Sequence, residues 1–212
     1  MRVMPADATL LIEVPDRLET PRLLLLASRA GLGPALNRAV LDAQAHLKPW
    51  MPWAHETPTV EQSEAIARRM AVRFLEREQL AYHVFERDAD GRAGRLIGGA
   101  GLHSLEWTVR RYEVGYWLGP AYTGRGLAGE AVTALVRMGF GELRARRLEI
   151  RTDARNHASR KVAERVGFVL EGHLRGDALD AAGQVADTCV YGMTSLADLR
   201  APARAASITP SG

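Results

Sequence analysis

The chain of 212 residues is predicted to fold as one α+β domain, and three features carry that expectation. Short apolar segments between Leu80 and Leu118 alternate with a period of two and are separated by turn residues, which marks a consecutive antiparallel meander. A helical repeat follows at Leu127, Ala131, Leu135 and Met138. After it, Leu148, Ile150 and Thr152 alternate again, which makes a β-α-β unit and so one parallel pairing. The rest reads helix, strand, strand. One central mixed sheet carrying helices accommodates this order.

Taken in sequence, residues 1–15 form a patternless leader expected to be partly disordered, residues 16–200 the domain, and residues 201–212 a small, proline-bearing tail expected to be disordered. Arg22 to Leu26 is a short aliphatic strand after Pro21. Ala30 to Leu47 is helical, interrupted near Gly33-Pro34. A loop rich in proline and tryptophan follows, Lys48-Pro-Trp-Met-Pro-Trp53. Thr59-Val-Glu-Gln62 has the form of a capping box, and the helix behind it carries Ile66, Met70 and Phe74 on one stripe. Leu80 to Arg87, Arg95 to Leu102 and Tyr112 to Leu118 are the meander, with a turn at Asp90-Gly91. Leu127 to Phe140 has two apolar stripes, so that helix is buried on two sides. Asn156 opens a short helix that Gly167 closes. Phe168 to Leu170 and Asp187 to Met193 are strands around a turn at Gly183.

Composition narrows the classes. Hydrophobic residues are 47% and charged residues 25%, ordinary for a globular domain and unlike disordered, collagen-like or coiled-coil chains. A chain this long buries roughly 70% of its unfolded surface, so neither disulfides nor a structural metal is required. The longest aliphatic run, Leu23 to Ala27, is far short of the ~20 residues that span a bilayer. No apolar segment accompanies Arg2, Pro5 and Asp7, so no signal peptide is expected. Cys189 is the single cysteine and no Cys/His spacing suggests zinc, so no metal and a reducing, cytoplasmic location are expected. The net charge is 28 − 25 = +3, and of the 28 cations only Lys48 and Lys161 are lysine. This arginine bias reflects either coding composition or a surface suited to phosphate and carboxylate. The cations are interleaved with acids and no recognition module is present, so nucleic acid is not an expected partner.

The informative segment is Gly124-Arg-Gly-Leu-Ala128 between a strand and a helix. A helix N-terminus has unpaired N–H groups and a positive dipole end, and glycines allow close approach, which together suit a phosphate. Read alone, the segment is equally a tight turn. Gly129 completes the pattern Gly-x-Gly-x-x-Gly, but the strands before it are a meander and Ile150-Arg151-Thr152 stands where a dinucleotide fold closes with an acid. No Gly-Lys-Ser/Thr is present. Asn156-His-Ala-Ser159 opens the next helix, where Asn and Ser either cap it or face a ligand.

Loop and helix, followed by Asn156-x-x-Ser159 and Val166-Gly167-Phe168, resemble the GNAT acetyltransferases. More narrowly, the chain resembles the RimJ/RimL branch, which acetylates protein N-termini and related amines. The residues that carry this are Leu18-Glu-Thr-Pro-Arg-Leu23, Leu47-Lys-Pro-Trp-Met-Pro-Trp53, Glu113-Val-Gly-Tyr-Trp-Leu118, Glu171-Gly172 with Arg175, and Asp187 with Val190-Tyr191. They span Leu18 to Leu199.

The resemblance implies a single GNAT-type domain whose mostly antiparallel sheet splays between two parallel strands, and acetyl-CoA as co-substrate. It implies that backbone groups of Trp117, Leu118 and Gly119 pair with pantetheine, and that Thr123, Gly124, Arg125, Gly126, Leu127 and Ala128 cradle the pyrophosphate. Relatives often have Gln or Arg at Thr123, so one side-chain donor is missing. Asn156 and Ser159 complete the cofactor site, with Arg125 and Arg160 as candidate phosphate cations. Many GNAT enzymes use a tyrosine seven residues after the Asn. Ala163 stands there, and the RimJ/RimL resemblance implies Ser159 in its place, as donor to the CoA sulfur. Glu113 is the candidate base, on one side of its strand with Gly115 and Trp117. Asp177 is a second candidate and a water chain a third, while Ala178 occupies the spot where some relatives carry a carboxylate. His83 and His103 could relay protons. Trp50, Trp53 and Tyr191 are expected to pack or to line the acceptor groove.

The expected activity is acetyl transfer to a primary amine, foremost a protein N-terminal α-amine of the ribosomal-protein type. The alternatives are a small amine (polyamine, aminoglycoside or amino acid) and a non-catalytic acyl-CoA-binding regulatory module. A homodimer is expected.

Overall fold

Antiparallel pairing runs unbroken through the first five strands. They are β1 (Arg17–Glu19), β2 (Leu23–Ala27), β3 (Leu80–Arg87), β4 (Ala93–Glu106) and β5 (Arg111–Leu118). The computed structural model describes residues 6–200. β6 (Arg147–Asp153) lies parallel to β5, and β8 (Val185–Met193) and β7 (Val169–Leu179) extend the sheet beyond it. The order is β1-β2-β3-β4-β5-β6-β8-β7. The fold is α+β: a mixed sheet of eight strands with one parallel pair and helices on both faces.

Two helices, α2 (Gly33–Leu47) and α3 (Val60–Leu75), cover one face through Leu36, Ala39, Val40 and Ala67, which pack on Leu24, Phe85 and Leu96. The other face receives α4 (Leu127–Gly141), with Leu127, Ala131, Val132, Leu135, Val136 and Met138 all buried. That agrees with its two apolar stripes. α5 (His157–Val166) packs beside α4, where Gly129 meets Val166.

The stripe predicted for α3 is displaced. Ser63, Ala67 and Phe74 are buried, while Ile66 is exposed and Met70 half-buried. α2 and α3 approach too closely for large side chains. A Cβ at Gly33 would fall 2.6 Å from that of Glu64, and Asn37 Nδ2 donates to Ser63 Oγ at 3.1 Å. The capping box at Thr59 and Gln62 forms as predicted.

Some strand limits also differ. β1 escapes a pattern search because it has three residues. β7 runs far past Leu170 as a sheet edge, and its exposed residues lack the one-sided burial that a period-two search detects.

Of the predicted leader, a short helix α1 (Ala6–Leu10) precedes Ile12 and Val14, which pack against the main core. The Arg77 guanidinium donates to the Ile12 carbonyl, and Tyr82 Oη donates to that of Pro15 at 2.6 Å. Residues 1–5 and the predicted tail, 201–212, lie outside the described residues.

His83 is structural. It is 1% exposed. Ser28 Oγ donates its one hydrogen to the Ala67 carbonyl at 2.8 Å, so it accepts from His83 Nε2 at 2.8 Å, which assigns the proton to Nε2. Burial lowers the His83 pKa to about 4.

Candidate active site

The parallel pairing of β5 and β6 stops early. Arg111, Tyr112 and Glu113 face Arg147, Leu148 and Glu149, and no pair follows. Past that point β5 pairs only with β4, up to Leu118, and β6 only with β8, up to Asp153. The two strands diverge and leave a wedge. Along it, the edges of Val114–Leu118 and Ile150–Asp153 have no strand opposite, so an extended ligand bearing amides could pair there.

The turn after β5 opens at one end of this wedge. Gly119 is committed within the protein: its N–H donates to Ile97 at 2.8 Å and its carbonyl accepts from Tyr122 at 2.9 Å. That leaves edge pairing to the residues before it, Trp117 and Leu118. Thr123 Oγ1 donates to the Pro120 carbonyl at 2.9 Å and so closes the turn. Gly124 and Gly126 have φ of 72° and 76°, a region that L side chains rarely adopt, and a Cβ on Gly124 would meet nothing. The helices α3 and α5 begin under side-chain oxygens of Thr59 and Asn156, and α2 under the Glu64 carboxylate, which accepts from the N–H groups of Gly31 and Gly33. α4 begins at Gly126 with no side-chain cap. Its first N–H groups stay open to an anion.

Arg22 holds this turn in place, and sequence reasoning gave it no role. Its guanidinium donates to the Arg125 carbonyl at 3.0 Å and to Glu130 Oε2 at 2.7 Å. Glu130 Oε1 also accepts from Thr20 Oγ1 and from the Arg22 N–H. An uncompensated glutamate in the first turn would repel a phosphate, and Arg22 offsets that charge. The segment Glu19-Thr-Pro-Arg22 therefore serves the turn. Arg125 itself extends over the Tyr122 ring, 5.7 Å from its centre, with Leu127 buried behind it and Ala128 half-buried.

Across the wedge, α5 brings Ser159 to β5. The Asn156 side chain caps α5, accepting from the Ser159 N–H at 3.1 Å. The Tyr116 hydroxyl lies 3.0 Å from Ser159 Oγ and donates to the Ser159 carbonyl at 3.1 Å. Burial raises the Tyr116 pKa to about 12, against the Ser159 hydrogen bond, which lowers it. Arg160 turns inward, with Nε donating to Tyr191 Oη at 3.1 Å and Nη1 to the Ala154 carbonyl at 3.0 Å. Tyr191 is fully buried and donates to Glu164, so it packs in the core and does not line a groove.

On the opposite face of β5 stand Glu113, Gly115 and Trp117. His103, directly across from Glu113 in the β4 register, places Nε2 3.3 Å from its carboxylate, and Ser104 Oγ donates to it at 3.3 Å. Burial raises the Glu113 pKa, but the His103 hydrogen bond and charge, Ser104 and Arg151 outweigh that, and the net shift is downward. The His103 ring lies over Gly115, where a Cβ would meet it at 2.9 Å. Trp117 fills the space above Gly99 and meets Trp53 edge-on at 5.7 Å. Gln44 of α2 holds the tryptophan loop by donating to Ala54, Glu56 and Thr57. Between this loop and the β7–β8 hairpin is a small cleft of about 120 Å³, lined by Trp50, Pro52, Asp153 and Leu179 among others. Asp177 is paired with Arg151 at 2.7 Å.

Residues 22–169 match the family model described as the acetyltransferase (GNAT) domain. The chain belongs to the GNAT acetyltransferases. It is 30% identical over 149 residues to the ribosomal-protein-serine acetyltransferase of Escherichia coli, spanning 63% of this chain and 79% of that one. It is 36% identical over 100 residues to YdaF of Bacillus subtilis, covering 47% of this chain and about half, 54%, of that relative. The RimL ribosomal L7/L12 acetyltransferase, solved with coenzyme A, superposes with a TM-score of 0.72 at 23% identity, covering 85% of this chain and 97% of that one.

As a GNAT chain it departs from the frequent family arrangement at Ala163, and Tyr116 brings a phenol to Ser159 from the strand instead. A signal for Tyr116 existed. It shares a strand face with the buried Tyr112, Val114 and Leu118, and a tyrosine there needs a partner for its hydroxyl. Which partner it has depends on where α5 begins, and that is a tertiary property.

Proposed function

We propose that this chain is an acetyl-CoA-dependent N-acetyltransferase acting on a protein N-terminal α-amine, working in the cytoplasm as a homodimer. The observation that carries the reading is the uncapped start of α4 opening onto a wedge where Ser159 stands across from β5. The N–H groups from Gly124 to Ala128 hold the pyrophosphate, with Arg125, stacked over Tyr122, as the neighbouring cation. Pantetheine runs along Trp117 and Leu118 as an added strand. The thioester then lies within reach of Ser159.

The acceptor enters from the face of Trp53, Trp117 and Glu113. Its nitrogen must be neutral to attack. Glu113, held below its ordinary pKa, is ionised at neutral pH, attracts the ammonium and takes its proton, which His103 beside it can pass on. A backbone N–H near Leu118 steadies the oxyanion. Nitrogen bonds to the acetyl carbon and gives up its second proton to water, the C–S bond breaks, and the sulfur leaves with the electron pair under a hydrogen bond from Ser159.

Two likenesses support the acceptor and donor: the E. coli relative is named for a ribosomal-protein serine, and the RimL structure holds coenzyme A. Exposed Val169, Leu174 and Leu179 on the edge strand β7 support the dimer. No helix among the described residues is long and apolar enough to cross a membrane. Thiol release from acetyl-CoA, assayed with peptides starting with Ser or Ala, with polyamines and with free amino acids, is expected to be fastest with the peptides. Faster turnover of a small amine would move the acceptor class. Binding without turnover of any amine would leave an acyl-CoA-binding module.

A further inference from the structure

Ser159 meets a second hydroxyl that no part of the proposed reaction has used. Tyr116 reaches it from β5, across the wedge, and apart from the Ser159 carbonyl it has no other hydrogen-bond partner among the described residues. One hydrogen is available on each oxygen, so two arrangements exist. If Tyr116 donates to the Ser159 carbonyl, Ser159 Oγ–H points back at Tyr116 and offers the wedge only lone pairs. If Tyr116 donates to Ser159 Oγ, the serine hydrogen is released outward. The Ser159 carbonyl sits inside α5, four residues before Ala163, where helix geometry supplies it with a donor of its own. Turning Tyr116 from the carbonyl to Oγ therefore strands no buried acceptor.

We propose that Tyr116 is a positioning residue for the leaving group: by donating to Ser159 Oγ it turns the serine hydrogen toward the thioester sulfur as the C–S bond breaks. Tyr116 gives up no proton in this step. The sulfur receives the electron pair and a hydrogen bond from Ser159, and the thiolate is later protonated from solvent. Burial keeps the phenol protonated through neutral pH, so the donor is always present. The strand phenol thus serves the place that Ala163 leaves vacant, although through a serine. The inference rests on the acetyltransferase reading above.

The test is a double-substitution cycle on the full chain, measuring amine-dependent thiol release. Tyr116→Phe is expected to lower kcat about 10-fold, the worth of one hydrogen bond, with KM for acetyl-CoA within about twofold. In a Ser159→Ala background the same change is expected to do nothing further. Equal kcat for Tyr116→Phe and wild type, or full additivity with Ser159→Ala, overturns the proposal. A thermal unfolding midpoint that falls while kcat holds shows a purely structural hydroxyl, which also overturns it. A 3,5-difluorotyrosine at position 116 decides the case if Tyr116→Phe fails to fold. Its phenol ionises at lower pH and then loses its hydrogen, so kcat must fall at a lower pH than in wild type, and superimposable profiles overturn the proposal. A wild-type chain that releases no thiol with any amine defeats the acetyltransferase reading itself, and the inference with it.

Discussion

Replacing Glu113 by Gln is expected to lower kcat/KM about 100-fold, the lower end of what a positioned base contributes. Gln keeps the shape and can still meet Ser104 and His103, so the folded protein should survive. What disappears is the negative charge that attracts an ammonium and accepts its proton. The residual rate should recover partly at high pH, where the amine is neutral without help. Glu113 lies below its ordinary carboxylate value, so it stays ionised through the neutral range and produces no acid limb there. Because Glu113 takes its proton from the ammonium form, wild-type kcat/KM should stay level up to the acceptor's pKa, near 8 for an α-amine and near 10 for a lysine-like amine, whereas the variant should rise through that value. A variant within about threefold of wild type, with an unchanged profile, assigns the base elsewhere. Asp177 is placed less well, because Arg151 occupies its carboxylate.

The second large effect is on stability. His83 has a folded pKa of about 4 and an unfolded value of about 6.5. Above pH 6.5 both states are neutral there and nothing changes. Between 6.5 and 4 the unfolded chain binds a proton that the folded chain refuses, so stability falls as pH falls. Below 4 both bind it, and the accumulated loss levels off at about 3 kcal/mol. Urea unfolding between pH 7 and 5 reads this before most carboxylates titrate. His83→Gln, which can keep a donor toward Ser28, is expected to be less stable than wild type at pH 7 and to lose less on going to pH 5. Parallel curves for the two proteins would show that His83 is not the responsible proton site.

What could be read from residues alone divides along local and tertiary lines. The capping box at Thr59, the two-sided α4 and the α5 boundaries at Asn156 and Gly167 are properties of neighbouring residues, and they stand where periodicity and capping rules put them. α3 misled because its burial is set by how closely α2 approaches, which selects Ser63 and Ala67 over Ile66. The glycines of β4 show the same dependence. A Cβ on Gly98 would overlap the Trp117 carbonyl, and one on Gly101 the carbonyl of Leu80, so their need for glycine lies in adjacent strands.

Around the wedge, sequence motifs alone singled out Ser159 and Glu113 as candidates. Arg22 and Tyr116 were not, since each acts through a partner 43 or more positions away, Arg22 on Arg125 and Glu130 and Tyr116 on Ser159. Arginine abundance resolved in a similar way. Of the two arginines singled out for phosphate, Arg125 lies over the turn, whereas Arg160 is engaged with Tyr191 and Ala154. A third, Arg22, supports the turn from behind.

In the proposed reading, coenzyme A lies with its pyrophosphate on the start of α4 and its pantetheine in the wedge beside β5. Amide hydrogen exchange, with and without saturating coenzyme A, tests it most directly, because the expected contacts are to backbone N–H groups. Slowed exchange is expected at Gly124 to Gly129 and along Val114 to Leu118, with β7 unaffected. Exchange that is unchanged in both segments while the cofactor is bound, or protection confined to another part of the chain, would contradict this placement.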